Sequence, residues 1–285
     1  MIDPFKIEGP AAISFSGGRT SGYMLWRVLQ SCGGALPPDV VVLFANTGKE
    51  MPETLDFVRE CGERWGVQIT WLEYRDRVGG QFAVVDWATA SRSGEPFELA
   101  IQHRKMLPNP RARFCTVELK IRTMHRYLKS LGWTEWNSVV GIRADEPRRV
   151  AKLSESQGYD FDTRTAPLAE AGIAVADVGA FWKAQPFDLG LPNMNGKTMH
   201  GNCDLCFLKG ANQVLSLIRE EPRRATWWIK QEEYGREHFV DRANGDFFKF
   251  RLDRASYADM QRMATSHSEL FDYDDEVLQD CMCVD

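Results

Sequence analysis

The stretch "SFSGGRTSGYML", residues 14–25, narrows the possible folds more than any other part of the chain. It continues the short apolar run "AAISFS" at 11–16. It then opens a segment with Leu25, Val28, Leu29 and Cys32 on one helical face and Gly33 as its stop. A strand that turns through two glycines into a helix leaves the first N–H groups of that helix without intrahelical partners, at the positive end of the peptide dipoles. Glycine lets an anion approach the backbone closely. Ser16, Gly17, Gly18, Arg19, Thr20 and Ser21 therefore read as a phosphate or sulfate site, with hydroxyls and one guanidinium as further donors. No Gly-Lys-Ser/Thr ends the loop, and it is not G-x-G-x-x-G, so neither the Walker A nor the dinucleotide fingerprint applies.

The same alternation continues downstream. "DVVVLFANTG" (39–48) is nearly all apolar, as a strand covered on both faces must be. "PETLDFVRECGERWG" follows as a helix with Leu55, Val58, Cys61 and Trp65 at helical spacing. "VQITWLEY" (67–74) and "NSVVGIRA" (137–144) read as strands, and 116–132 as a helix between them. Strands alternating with helices predict an α/β fold, a Rossmann-like parallel sheet with right-handed crossovers. Ligands bind such sheets at the carboxyl ends of the strands, where each polar motif falls. Past residue 150 the pattern loosens. "SESQGYDFDTRTAPLAEAG" reads as irregular, and two helices are expected over 205–219 and 221–235. The expected division is an α/β nucleotide-binding domain over 1–180 and a helical, cysteine-bearing region over 181–285.

With 285 residues and 44% hydrophobic composition, the chain needs no disulfide framework. A net charge of −5 argues against a nucleic-acid partner. The start "MIDPFKIEGP" has no signal-peptide pattern, and the longest apolar run, "VVVLFA" (40–45), is too short to span a bilayer. A cytoplasmic protein with no membrane partner is expected. Seven cysteines in such a chain point to metal or redox chemistry.

Cys32 and Cys61 lie on apolar helix faces and read as core. Cys203 and Cys206 form a CxxC after turn residues, Cys115 precedes a helix with Thr116 as its expected cap, and Cys281 and Cys283 lie in the last five residues. A CxxC alone leaves zinc, an iron–sulfur cluster and a redox dithiol open. Two basic segments stand out in the acidic chain. One carries Arg104, Lys105, Arg111 and Arg113, and the other Arg143, Arg148, Arg149 and Lys152. Arginine forks match phosphate and sulfate, although a charge run is commonly only a solvated face.

The glycine loop resembles the PP-loop, SGGxDS, of adenine-nucleotide-binding proteins of the adenine nucleotide alpha-hydrolase-like superfamily. "LFANTGKEMPETLDFV" (43–58) and "GIRADEPRRV" (141–150) resemble the corresponding segments of one branch, the phosphoadenosine phosphosulfate (PAPS/APS) reductase family. The resemblance implies nucleotide contacts at Asn46, Thr47, Gly48, Gly141, Arg143 and Arg148. The aspartate of SGGxDS is Thr20 here, which fits members that hold a sulfonucleotide without splitting ATP.

"CTVELK" resembles the family's Cys-Cys-x-x-Arg-Lys element, with Cys115 and Lys120 matching and Thr116 and Leu119 departing. Cys203 and Cys206 match the later CxxC. Cys115, Cys203, Cys206 and a tail cysteine, Cys283 or Cys281, are then expected to hold a [4Fe–4S] cluster, with zinc as the alternative. "DCMCVD" resembles the family's nucleophilic tail in place but not in flanking residues, so Cys281, Cys283 and Lys120 are the expected catalytic groups. The implied reaction is thiolate attack on an adenylyl sulfate, release of AMP or its 3′-phosphate form, and discharge of sulfite by a thiol donor such as thioredoxin. Two rivals stand beside it: an iron–sulfur PP-loop sulfurtransferase or ATP pyrophosphatase acting on nucleic acid, and a zinc-stabilised, non-enzymatic nucleotide-binding module.

Overall fold

The computed structural model describes residues 3–155, 162–194, 197–201, 203–239 and 248–266. Its centre is a six-stranded sheet in the order β4-β3-β2-β1-β5-β6. The strands are β1 (Ala11–Ser14), β2 (Val40–Asn46), β3 (Ile69–Tyr74), β4 (Phe82–Val85), β5 (Trp136–Val140) and β6 (Asp162–Thr165). All pairings are parallel except β3 with β4, an antiparallel edge. The mixed α/β, mostly parallel sheet is that of a Rossmann-like PP-loop fold. Chain order runs outward from β1 to β2 and β3, then jumps across to β5 and β6. The switch point, where such sheets take ligands, is therefore between β1 and β5.

One face of the sheet carries α1 (Arg19–Ser31), α2 (Pro52–Trp65) and, farther along the chain, α6 (Pro167–Glu170) and α7 (Val175–Ala184). Alternation sends Ile13, Val42, Phe44 and Val139 to this side, where they form one core with Leu25, Val28, Leu55, Cys61 and Trp182. Cys61 is fully buried, its thiol pushed far up by that burial, and Cys32 packs at the core's margin. The opposite face is covered by α4 (Thr123–Ser130), with α3 (Glu95–Arg104) nearby, and α5 (Pro147–Glu155) follows β5. A second core joins Tyr74, Phe97, Ile101, Phe114 and Leu119 to α8 (Ala211–Glu220), α9 (Ala225–His238) and α10 (Tyr257–Thr265), centred on buried Trp228. The two cores interleave in sequence, because Trp182, Phe187, Leu189 and Leu191 belong to the first and residues 74–119 reach into the second.

Several local expectations change. The helix after Cys115 starts as a π-helix, Thr116–Arg122, before continuing as α4, and the residue at its N-cap is Cys115, with Thr116 the first residue inside. Residues 205–209 form turns, not helix, so the CxxC lies on a loop ahead of α8, a short antiparallel pair β7 (Asn193–Met194) and β8 (Lys197–Thr198) having preceded it. The "irregular" stretch contains β6. Its charged residues, Asp162 and Arg164, face inward, which defeats any apolar alternation signal. No helix among the described residues is long and apolar enough to cross a membrane.

Arg19 fastens the 187–198 segment to the first helix. Its guanidinium holds both carboxylate oxygens of Asp188, at 2.7 and 2.5 Å, and donates to Thr198 Oγ1 and Leu191 O. Trp182 Nε1 donates to Arg19 O at 2.7 Å. Nearby, the Phe57 ring packs against Trp182 at 4.9 Å, Phe187 at 6.1 Å and Phe15 at 6.3 Å.

Two stability predictions follow from this packing. Phe57→Ala should lower unfolding free energy by about 3–5 kcal/mol, read as a lower urea midpoint with unchanged slope. The second concerns pH. Burial works against the Asp188 charge, but the Arg19 bonds outweigh it and hold the carboxyl below its ordinary 3.8. A carboxyl depressed by folding contributes stability that is complete above its unfolded value and is lost as pH falls through its folded value. Between about pH 5 and about pH 3 the urea midpoint of the wild type should therefore fall more steeply than that of Asp188→Asn. Parallel profiles would remove the ion pair as a cause.

Candidate active site

The glycine loop lies past the end of β1. Gly17 has φ of +79°, and a Cβ there would meet Thr54 Cγ2 at 2.6 Å, so both backbone and space demand glycine. Ser21 is fully buried and pins the loop from inside: it takes Ser16 N at 3.2 Å, contacts Ser16 Oγ at 2.9 Å, and donates to Gly18 O at 3.0 Å. Gly18 caps α1 with extended backbone and no side-chain hydrogen bond, so the first turn's amides have no capping side chain. Arg19, expected to face the anion, is turned to Asp188 instead. Thr20 is buried, and Arg143 Nη1 donates to its Oγ1 at 3.0 Å. The position that carries a carboxylate in SGGxDS thus ties the loop to the segment after β5.

That segment begins with buried Gly141. Arg143 is further held by Asp145 at 2.9 Å, and its N–H donates to Glu146 Oε2 at 3.0 Å. Arg148 is exposed, whereas its neighbour Arg149 is buried, bonded to Glu146 Oε1 at 2.5 Å, and lines a cavity. The structure thus brings Arg149 inside, where the sequence reading chose Arg148.

The cavity, about 460 Å³, lies on the sheet face away from α1. Ser14 of β1, Val140 of β5 and Arg164 of β6 form its floor, with Arg113, Thr116 and Arg149 among its walls. It spans the β1/β5 switch point, and its mix of apolar wall and convergent cations suits a nucleotide.

The loop after β2 is built around Asn46 and Glu73, both fully buried. Asn46 Nδ2 donates to Glu73 Oε1 at 2.6 Å, and Asn46 Oδ1 accepts from Gly48 N at 3.0 Å. Glu73 also takes Ser91 N and Oγ and Arg75. Asn46 therefore holds the loop in shape. Gly48 needs its positive φ of +78°, and Gly94 and Pro96 crowd it. Thr47 faces inward: its Oγ1 donates to Glu50 Oε2 at 2.8 Å and lies 3.5 Å from Cys203 Sγ.

Cys115, Cys203 and Cys206 meet here, with Thr47, Lys120 and Trp228, around a small space of about 20 Å³. Thr116 lines both this space and the large cavity, so the two adjoin. Burial raises the Cys203 thiol, Glu50 and Cys206 raise it further, and Lys120 opposes them. Lys120 Nζ is 3.9 Å from Glu50 Oε1. A buried ion pair, Lys49–Asp204 at 2.9 Å, stitches the cysteine loop to the loop after β2.

Among the described residues no three His, Cys, Asp or Glu stand close enough to hold a metal ion. Cysteine sulfur is the donor type a thiophilic metal takes, but the three thiols as placed do not form a metal-binding group. Three thiolates in an apolar wall beside one lysine would need a cation to be stable together. The space as it stands is near the size of one water-sized atom, and a four-iron cluster requires the walls to part. Cys281 and Cys283 lie outside the described residues.

Glu50, the Lys49–Asp204 pair and the Asp162–His125 pair were missed in the sequence, and Arg149 was named there only as part of a basic segment, behind Arg148. Glu50, Lys49, Asp204 and Arg149 sit at recognised motifs ("TGKE", "CDLC", "EPRRV"), and that adjacency was the signal available. Asp162 carried none, since the run around it does not read as a strand.

Comparison with known proteins agrees with this geometry. The model of the phosphoadenosine phosphosulfate reductase domain matches residues 10–170. A protein of Escherichia phage lambda, described as uncharacterized nin region protein ORF290, is 32% identical over 218 residues, which is 73% of this chain and 69% of the phage protein. The matched span holds the glycine loop, the loop after β2, Cys115, Lys120 and the Gly-x-Arg segment on one nucleotide-binding sheet, and the chain belongs to the phosphoadenosine phosphosulfate reductase domain family.

Proposed function

We propose that the protein binds an adenylyl sulfate and reduces it to sulfite. One observation carries the reading: cysteines from two separated sequence elements, Cys115 and the Cys203–Cys206 pair, meet in a pocket that adjoins, through Thr116, the cavity at the switch point. The first-turn amides of α1 and Arg149 receive the phosphate. Lys120 neutralises the sulfonate beside Thr47. A tail thiolate, from Cys281 or Cys283, attacks sulfur. The S–O bond to phosphate breaks, and AMP or its 3′-phosphate form leaves with the electron pair. A second thiol, from a donor such as thioredoxin, then attacks the bound thiosulfonate. Sulfite departs carrying two electrons, and the thiols end as a disulfide.

Cys115, Cys203, Cys206 and one tail cysteine are the residues to hold a [4Fe–4S] cluster, with zinc as the alternative metal. Bound there, such a centre would keep its ligand cysteines deprotonated as thiolates. The Thr20 hydroxyl, engaged by Arg143, leaves no carboxylate in the loop for the metal of an ATP-splitting reaction. This favours the reductase over a PP-loop sulfurtransferase.

Calorimetric titration with AMP, its 3′-phosphate form and ATP tests the nucleotide site. Arg149→Ala should weaken binding of AMP or its 3′-phosphate form by roughly 10- to 150-fold, the usual loss for one charge-assisted contact. Failure of all three nucleotides at millimolar levels would falsify the reading.

The metal centre is tested by anaerobic purification with iron, acid-labile sulfide and zinc measured together. Cys203→Ser and deletion of 280–285 should each lower the metal content while nucleotide binding persists. Full retention of metal after the deletion would exclude the tail as a ligand. Zinc without sulfide would replace the cluster.

A further inference from the structure

The outer edge of β4 is unpaired among the described residues, because β4 ends the sheet and only β3 bonds to it. Arg75 N donates to Gln81 O at 3.2 Å, and the pairs Glu73–Ala83 and Trp71–Val85 follow in the same phase. Bonded and non-bonded pairs alternate in an antiparallel ladder, so the N–H and C=O groups of Phe82 and Val84 point away from β3. Edge strands are commonly guarded by lysine, proline or an inward charge. β4 reads Phe-Ala-Val-Val and has none of these, and its Val84 is 58% exposed. The opposite edge strand, β6, carries Asp162 and Arg164.

The two ends of the β4 edge are complementary to each other. At one end the β3–β4 turn holds Val78 out in solvent, 96% exposed, the highest value among the large apolar side chains described. Arg77 beside it is exposed and enters no ion pair among the described residues. At the other end an open groove of about 630 Å³ runs between β4 and α2. Val58, Ile69, Trp71, Val85 and Trp87 line it, and the exposed carboxylates of Glu63 and Asp86 stand at its rim. The groove is preformed, since Trp87 Nε1 donates to Asp56 Oδ1 at 2.8 Å and the Arg59 guanidinium stacks 4.1 Å from the Trp87 ring centroid.

We propose that two copies of the chain pair antiparallel along β4, joining their sheets into one across a two-fold axis at Ala83. That register sets Phe82 opposite Val84 of the second copy and uses the outward backbone groups of both residues. It also brings the turn at Arg77–Gly80 of each copy alongside Asp86–Thr89 of the other. Val78 then enters the groove, and Arg77 meets the carboxylates at its rim. Each contact occurs twice, as an isologous interface requires. An unrelated partner would have to bring its own apolar knob and its own groove at this spacing along a free strand, whereas this chain already carries both.

Sedimentation velocity of the full chain under reducing conditions, across the micromolar range, tests the interface. The wild type should sediment as a dimer, with twice the 32.5 kDa of one chain. Val84→Lys adds a cation to each free edge, and Val78→Asp puts a charge into each groove. Each should raise the dimer dissociation constant at least about tenfold. Both side chains are exposed, so both variants should keep the wild-type melting temperature. The register has its own readout. Ala83→Cys places two thiols across a non-bonded pair, with Cα atoms about 4.5 Å apart and within disulfide reach. Mild oxidation should then give a dimer linked through position 83 on peptide mapping. A wild type that stays monomeric overturns the proposal. A dimer that both charged variants leave intact, and that forms no link at position 83, is built on another surface and overturns it as well.

Discussion

The buried ion pair between Lys49 and Asp204 is the contact on which the cysteine pocket depends. Its atoms are 2.9 Å apart, one on the loop after β2 and the other inside the CxxC. Each charge has further support. The Lys49 ammonium lies 5.4 Å from the Trp227 ring centroid, and Trp228 Nε1 donates to Asp204 Oδ1 at 2.8 Å. The backbone adds a bond from Asp204 N to Lys49 O at 2.7 Å. Burying two ions costs several kcal/mol each in lost hydration, and only close geometry with added hydrogen bonds offsets it. Such a pair does little for net stability but strongly penalises any arrangement that separates its members. It therefore determines where Cys203 lies relative to Thr47, and so where the thiols meet the sheet.

The same logic runs through the site's arginines. Arg143 and Arg149 share Glu146, Arg164 forks Asp162, and Arg19 is committed to Asp188. A guanidinium already held by a carboxylate gives up less side-chain freedom when a ligand arrives. It also has less charge to offer. The positive field for an anionic ligand then comes from the helix amides of α1 together with the arginines' remaining N–H donors. An acidic chain can in this way keep a cationic cleft without a basic surface.

How much of this was legible in the sequence depends on the range of the interactions. The β1–loop–α1 unit, β2 with its TG turn, and β5 with its Gly-x-Arg exit were readable because their signals are local: apolar runs, glycines with positive φ, and helical spacing. The inward-facing charges of β6 were not, because a strand lining a polar cavity breaks the alternation by which strands are recognised. The roles of Arg19 and Arg149 were also hidden. Arg19 is diverted by Asp188, 169 positions away, and no local rule foresees a partner at that distance. Between Arg148 and Arg149, the helical phase of α5 decides which one points inward. The resemblance ranked Arg148 first, and nothing local in the sequence gave the helical phase that turns Arg149 inward.

The π-helix at Thr116–Arg122 is the remaining long-range effect, and it explains how one segment serves two chambers. Backbone bonds to the fifth residue back widen the turn, and the Thr123 hydroxyl adds a side-chain bond to Glu118 O at 2.8 Å. Cys115 and Lys120 face the thiol pocket, and Val117 and Ile121 face the cavity, with Thr116 between them on both. Glu118 points to neither. It is buried and gathers Arg104, Arg122 and Arg126, which anchors the helix to α3 and α4. A regular α-helix through the same residues would turn each successive side chain farther, and Cys115 and Lys120, five apart, would separate in phase. The wider turn brings them back to one side. π-helices are rare and marginal by themselves, and this one is held in place by a carboxylate with three arginines around it. The irregularity at the junction of the two chambers is thus maintained by charge pairing outside both of them.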